Sequence, residues 1–375
     1  MATHTAEASQ QNLNLPLSLG AGTYWLQYDV PTSNDTQLLR LRMIGAPGGD
    51  TGLLISTANA QTYAHILTTA GQTTLRFQAQ ASWEGTLDNV RVYDLSAISA
   101  LPADIYGLWG QSNIVGTDGG DPSFLDAVHP MIWAWARDDD TNYGITAGAL
   151  NAAYDPLMHA GNGQRDVGPG MAFANAMLVN AAGARRIVIV CAGEPNTRLS
   201  TGAATWAAPT GANYDEALTA MQDCKDALPA GSEIKGIVWS QGESDYAAHG
   251  TAYAAAFAAM VADARSQLAL ANLPFVILGT DPDEDAANGG TLQATQVLLD
   301  EDSGDATAIE RVKYVPTPAG YRVAPGSSHM TGEGHRIRGW NAAAKMIECL
   351  SEATEPNNPP SGPTAFSNGF SGGFA

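Results

Sequence analysis

The chain has 375 residues, enough for two domains of ordinary size and a sizeable core. Hydrophobic residues make up 45% and charged residues only 15%, so Ser, Thr, Asn, Gln and the 40 glycines must cover much of the surface. With 38 acidic against 18 basic side chains the formal charge is -20, which argues against a phosphate backbone or an anionic membrane surface as a partner and reads as a device for solubility.

Residues 1–11 carry no pattern and read as an N-terminal arm. They lack the basic start and apolar core of a signal peptide, and no run in the chain is long enough to insert in a membrane. If the protein acts outside a cell, another route is expected to take it there. From residue 12 to residue 98 the pattern is short and alternating. Leu13, Leu15, Leu17 and Leu19 share one face, and further period-2 runs follow at roughly ten-residue intervals between Gly, Pro, Asn and Asp turns. Such spacing predicts an all-β sandwich without helices. Its last run, residues 83–94, is similar to the final strand of jelly-roll carbohydrate-binding modules. Trp25, Tyr28, Tyr63 and Trp83 are the aromatic candidates for stacking on a sugar ring, Trp25 and Trp83 foremost, with burial in the sandwich core as the competing role.

The texture changes at residues 96–103. Apolar strands at residues 105–109, 187–190, 234–239 and 275–278 alternate with helical stretches at 171–182, 214–227 and 253–270, and a last helix is predicted from about 332 to 350. That rhythm implies crossovers onto a parallel sheet covered by helices on both faces, an α/β domain over residues 103–352. Residues 353–375 form a Pro/Gly/Ser linker and a low-complexity end with three Phe, read as a frayed terminus or a short docking peptide. Cys191, Cys224 and Cys349 are odd in number and widely spaced, so they are expected as buried thiols, with neither a disulfide framework nor a zinc site. No metal and no cofactor is implied.

Ligands of an open parallel sheet sit beyond the carboxyl ends of its strands. Gly110-Gln111-Ser112-Asn113 follows the first strand of this domain, Trp239-Ser240-Gln241-Gly242-Glu243-Ser244-Asp245 follows a later one, and His329 stands just before the last helix. Ser112 can act as a nucleophile only if a base reaches its hydroxyl. Of seven histidines, His4 and His65 lie outside the domain, and His129, His159 and His249 sit in loops without a supporting pattern. His335 falls inside the last helix, facing solvent or helix packing. His329 lies in a Gly/Ser-rich loop suited to a general base.

Taken in order, these segments, with Gly168-Pro169-Gly170-Met171-Ala172-Phe173-Ala174 and His329-Met330-Thr331-Gly332-Glu333-Gly334, resemble the motif blocks of the SGNH (GDSL-like) hydrolase superfamily, especially its sialate O-acetylesterase and acetylxylan esterase branch. The resemblance runs from about residue 106 to residue 340. It implies a three-layer α/β/α fold and removal of acyl groups, usually acetyl, from sugars. It makes Ser112 the nucleophile and His329 the base. The oxyanion would be held by the Ser112 amide, by Gly170 or Gly193, and by the Gln241 side chain. Gln111, Asn113, Glu243 and Asp245 would support the site and meet the substrate. One position departs from the family: the Asp expected three residues before the histidine is Gly326. Asp245, Asp281, Asp283 or a backbone carbonyl could orient the ring instead.

A β-module before an esterase, a polar surface of low charge and a Phe/Gly/Ser tail also resemble spike or tail-fibre proteins of bacteriophages and phage-like particles. That likeness implies an extracellular or particle-surface location, a polysaccharide or glycan as partner, homo-oligomers, and contact with other particle proteins through the tail. The rival reading is a non-catalytic receptor-binding protein that keeps the pocket to recognise an acetylated surface glycan.

Overall fold

The computed structural model describes residues 2–4, 11–16, 21–33, 38–44, 51–56, 61–70, 74–79, 85–120, 122–123, 125–140, 145–160, 166–181, 184–200, 205–248 and 251–352. Trp83, Leu17, Leu19 and the Phe-rich tail lie outside these residues.

The first part of the chain is built from strands β1 (Ala2–His4), β2 (Gln11–Pro16), β3 (Ala21–Ser33), β4 (Leu38–Ile44), β5 (Thr51–Ser56), β6 (Gln61–Ala70), β7 (Thr74–Ala79) and β8 (Gly85–Asp94). They form two four-stranded sheets in the orders β1-β8-β3-β6 and β2-β7-β4-β5, with every pairing antiparallel. That order is the double Greek key of an eight-stranded jelly roll. The expected N-terminal arm is corrected here. Ala2–His4 pairs with β8, covering backbone groups that a bare sheet edge would expose, and β2 begins at Gln11.

Apolar residues of both sheets meet inside, among them Leu26, Val30, Leu41, Leu75 and Leu87, and the Tyr28 ring stands edge-on to Phe77 of the other sheet at 5.0 Å. Trp25 is fully buried, and its Nε1 donates to Gln27 Oε1 (3.3 Å). The expectation that Trp25 stacks on a sugar is therefore corrected: its ring is core.

A short helix α1 (Ser96–Ser99) leads into the second part: β9 (Ala103–Gly110), α2 (Ser112–Val115), β10 (Ile132–Trp135), β11 (Leu150–Ala152), α3 (Gly170–Asn180), β12 (Arg186–Cys191), α4 (Ala212–Asp226), β13 (Glu233–Ser240), α5 (Thr251–Gln267), β14 (Phe275–Leu278), α6 (Pro282–Ala287), α7 (Leu292–Leu298), β15 (Val312–Val315) and α8 (Gly332–Glu352). The sheet order is β11-β10-β12-β9-β13-β14-β15, parallel except for β11 at one edge. Strand residues alternate between two cores, as the pleat requires. Ile105, Trp109, Val188, Ile237, Trp239 and Phe275 face α4 and α5, while Tyr106, Leu108, Ile187, Ile189, Val238 and Val276 face α3 and α8. This is the expected three-layer α/β/α arrangement. The sequence reading did not find β10, β11, β15, α6 or α7. All three cysteines are free and buried.

The two parts touch. Tyr154, just after β11, packs its ring against Tyr63 (6.1 Å) and His65 (6.0 Å) of β6.

Candidate active site

Strand β9 lies in the middle of the sheet. The chain leaves it towards β10 and β12 on one side and returns as β13 to β15 on the other, so the carboxyl end of β9 is a topological switch point, where ligands of such sheets bind. Ser112 stands there as the first residue of α2. The turn before it accepts only glycine: Gly110 has φ +133°, and a Cβ would lie 2.0 Å from the Ser240 carbonyl oxygen. The Gln111 amide donates to that same oxygen (2.9 Å), tying the nucleophile turn to the end of β13.

His329 lies on the connection between β15 and α8. Its Nδ1 is 2.6 Å from Asp118 Oδ2. Asp118 follows α2 in a tight turn, at φ +58°, a conformation that Asp tolerates better than most residues. This contact fixes the proton on Nδ1 and leaves Nε2 to accept another, the arrangement a general base requires. Ser112 Oγ makes no hydrogen bond to His329 among the described residues. In sites of this kind that bond tightens when substrate is bound.

The three other carboxylates considered for the orienting task are committed elsewhere. Asp245 is buried and accepts from the Leu199 amide (2.8 Å), the Ser200 amide (3.0 Å), Ser200 Oγ and the Gln241 side chain. Asp281 caps α6 through the amides of Asp283 and Glu284 (both 3.0 Å), and Asp283 is exposed and paired with Arg322 (3.2 Å).

The neighbours of Ser112 are bonded to each other. Glu243 opens a 3₁₀ turn after β13 and accepts from Gln111 Nε2 (2.6 Å) and Asn113 Nδ2 (2.5 Å). Asn113 Nδ2 also donates to the Ser328 carbonyl (2.8 Å), and Asn113 Oδ1 accepts from the Met330 amide (3.3 Å).

With this geometry in place, the comparisons can be set beside it. The profile of the family described as carbohydrate esterase, sialic acid-specific acetylesterase (SASA), matches residues 102–348. The chain belongs to this family. Among solved structures, a protein from Arabidopsis thaliana is similar over 66% of this chain and 98% of its own, at 21% identity and a TM-score of 0.53. The structure of NanS is similar over 67% of this chain and 99% of its own, at 18% identity and a TM-score of 0.54. Both likenesses concern the fold. No curated protein matches the chain.

Within this carbohydrate esterase, two of the expected oxyanion donors need correction. Gly170 begins α3 in the core, where a Cβ would lie 2.4 Å from Leu157 and 2.6 Å from Leu108, so close packing there requires glycine. The Gly193 amide donates to His159 Nδ1 (2.9 Å). Gln241 Nε2 spends its donors on the Thr197 carbonyl (3.3 Å) and the Asp245 carboxylate, which leaves none for a substrate. Of the expected donors, the Ser112 and Gly170 amides have no hydrogen-bond partner among the described residues. Trp83 cannot be placed, and Trp25 and Asp245 face away from any substrate, the one in the sandwich core and the other under the 197–200 loop.

Two buried histidines flank this machinery. Burial, helped by the Arg137 charge, pushes His159 down to about 3. Of the two roles expected for His335, packing is the one found: it is fully buried, and burial together with the charges of Arg338, His329 and Arg336 holds it well below the usual histidine range. Asp118 was missed in the sequence. Its signal was an acid between Thr117 and Gly119, six residues after the nucleophile, in a glycine-rich turn on the same strand end.

Proposed function

We propose that the protein removes acetyl groups from an acetylated sugar by a Ser112–His329–Asp118 mechanism. The observation that carries this reading is the 2.6 Å contact between Asp118 Oδ2 and His329 Nδ1, which supplies the acid that Gly326 does not. Family membership supports the substrate class. Acetylated glycans are the proposed partner, with O-acetylated sialic acids as the first to assay.

In this mechanism His329 Nε2 takes the Ser112 hydroxyl proton as Oγ attacks the acetyl carbonyl carbon. Asp118 stabilises the imidazolium that forms, and the oxyanion faces the Ser112 amide. Collapse expels the sugar oxygen, which receives the proton from His329 and leaves acetyl on Ser112. Water, deprotonated by His329, then attacks the acetyl-serine; as the bond to Oγ breaks, His329 returns the proton to Ser112 Oγ and acetate is released. The chemistry needs Ser, His, Asp and an amide donor, and no metal step enters it.

The test is acetate release from O-acetylated sialic acids and acetylated glycans, with p-nitrophenyl acetate as a small reference ester. Ser112→Ala should lower kcat by about 10⁴-fold or more while the protein stays folded. A wild type no faster than Ser112→Ala would refute the reading.

A further inference from the structure

Asn113 looked in the sequence like a substrate contact, yet its side chain is engaged inside the protein. It holds the backbone on both sides of the base: Nδ2 donates to the Ser328 carbonyl (2.8 Å) and Oδ1 accepts from the Met330 amide (3.3 Å). The same Nδ2 donates to Glu243 Oε1 (2.5 Å), and the other Glu243 oxygen takes Gln111 (2.6 Å), on the far side of Ser112. Among the described residues, the hydrogen bonds from residues 316–331 to the nucleophile segment 110–120 are those of Asn113 and the Asp118–His329 contact. The other bonds of this loop run within itself, as in Val323 amide to His329 carbonyl (3.1 Å), to the α6 acids through Arg322, to the Gly279 carbonyl from Thr317, and to the first turn of α8 at Thr331.

We propose that Asn113 and Glu243 form a clamp that sets the position of His329 relative to Ser112. Both are positioning residues that act through His329, and the inference rests on the mechanism proposed above. The clamp needs a side chain that donates and accepts at once, which an amide does and a carboxylate does not. Glu243 fixes the amide's orientation, since its carboxylate can only accept, and so keeps Nδ2 towards Ser328 and Oδ1 towards Met330. A misplacement of about 1 Å in such a site can cost about 100-fold in rate.

Asn113→Asp keeps the shape and removes both donors. The expected result is a kcat lower by about 100-fold with KM within about twofold of wild type, and loss or shift of the downfield imidazole proton that reports the Asp118–His329 bond. Glu243→Gln, which turns one acceptor towards an amide donor, should lower kcat by about tenfold and shift the same proton. It serves also if the first variant does not fold. The proposal is overturned if both variants keep kcat and the proton signal, or if they raise KM alone, as a substrate contact would. It is equally overturned if kcat falls only in proportion to the unfolded fraction. A wild type without Ser112-dependent turnover would remove the mechanism, while the imidazole proton would still decide whether the clamp holds His329.

Discussion

The segment that carries Ser112 and the segment that carries His329 are brought together by different means. The first is fixed by backbone: a strand at the centre of the sheet, a glycine with no room for a Cβ beside Ser240, and an amide tied to the neighbouring strand. The second is an irregular connection exposed at residues 323–326, where Gly326 at φ +78° has nothing within 4 Å of a would-be Cβ. The imidazole needs a carboxylate within hydrogen-bond reach of Nδ1, whichever segment supplies it. Here the supplier is Asp118, on the rigid side.

That contrast can be broken most severely at Asp118. Asp118→Asn should lower kcat by about 10⁴-fold, as expected when the ring tautomer is lost, with little change in Tm because the carboxylate is largely exposed. Kinetics on p-nitrophenyl acetate and a thermal melt give both numbers, and an unchanged kcat would mean that another group orients His329. Next comes Gly110→Ala, which drives a methyl into Ser240 backbone. Chemical denaturation should show a loss of about 3 kcal/mol or more, or no folded protein at all.

A pH titration of stability sharpens the comparison, because His159 sits behind the nucleophile side and His335 on the helix below the base. Both have folded-state values below the unfolded one, so each contributes stability that is present above about pH 6.5 and lost as pH falls below it, for His159 down to about 3. Asp155, raised by burial and by Asp126, acts in the opposite sense, with stability lost as pH rises above about 3.8. With two histidines acting one way and one carboxyl the other, stability is expected to fall as pH drops from about 6.5 towards 4. Urea melts at those values check the slope, and a flat or reversed dependence would contradict it. The smallest effect is expected at Gly326→Ala, about 1 kcal/mol from the positive φ, with turnover near wild type, again by urea melts and the ester assay.

Much of this was readable from the residues, for physical reasons. Strands β9, β12, β13 and β14 each hold a run of apolar residues, such as 105–109, 187–191, 236–239 and 275–278, and α3, α4, α5 and α8 are long enough for their period to show. Strand β15 is only four residues long and contains Lys313, buried because Glu301 (2.8 Å) and Asp302 (2.6 Å) neutralise it, so its pattern reads as a loop. Ser112 and His329 stood out because each sits next to a regular element. Asp118 did not, since its partner is 211 residues away and a glycine turn has other uses. The oxyanion donors were misassigned at Gly193 and Gln241 because a sequence shows that a donor exists and not whether it is already spent.

The ring seam of Tyr63, His65 and Tyr154 bears on how the chain can be divided. Tyr154 is almost wholly covered where it meets the two β6 rings. A fragment holding only residues 103–352 would turn part of that seam towards water, so the boundary near residue 100 marks a change of architecture without giving a clean place to cut. Grafting this esterase onto another scaffold therefore means carrying the β6 strand along, or replacing Tyr154 with a residue at home in solvent.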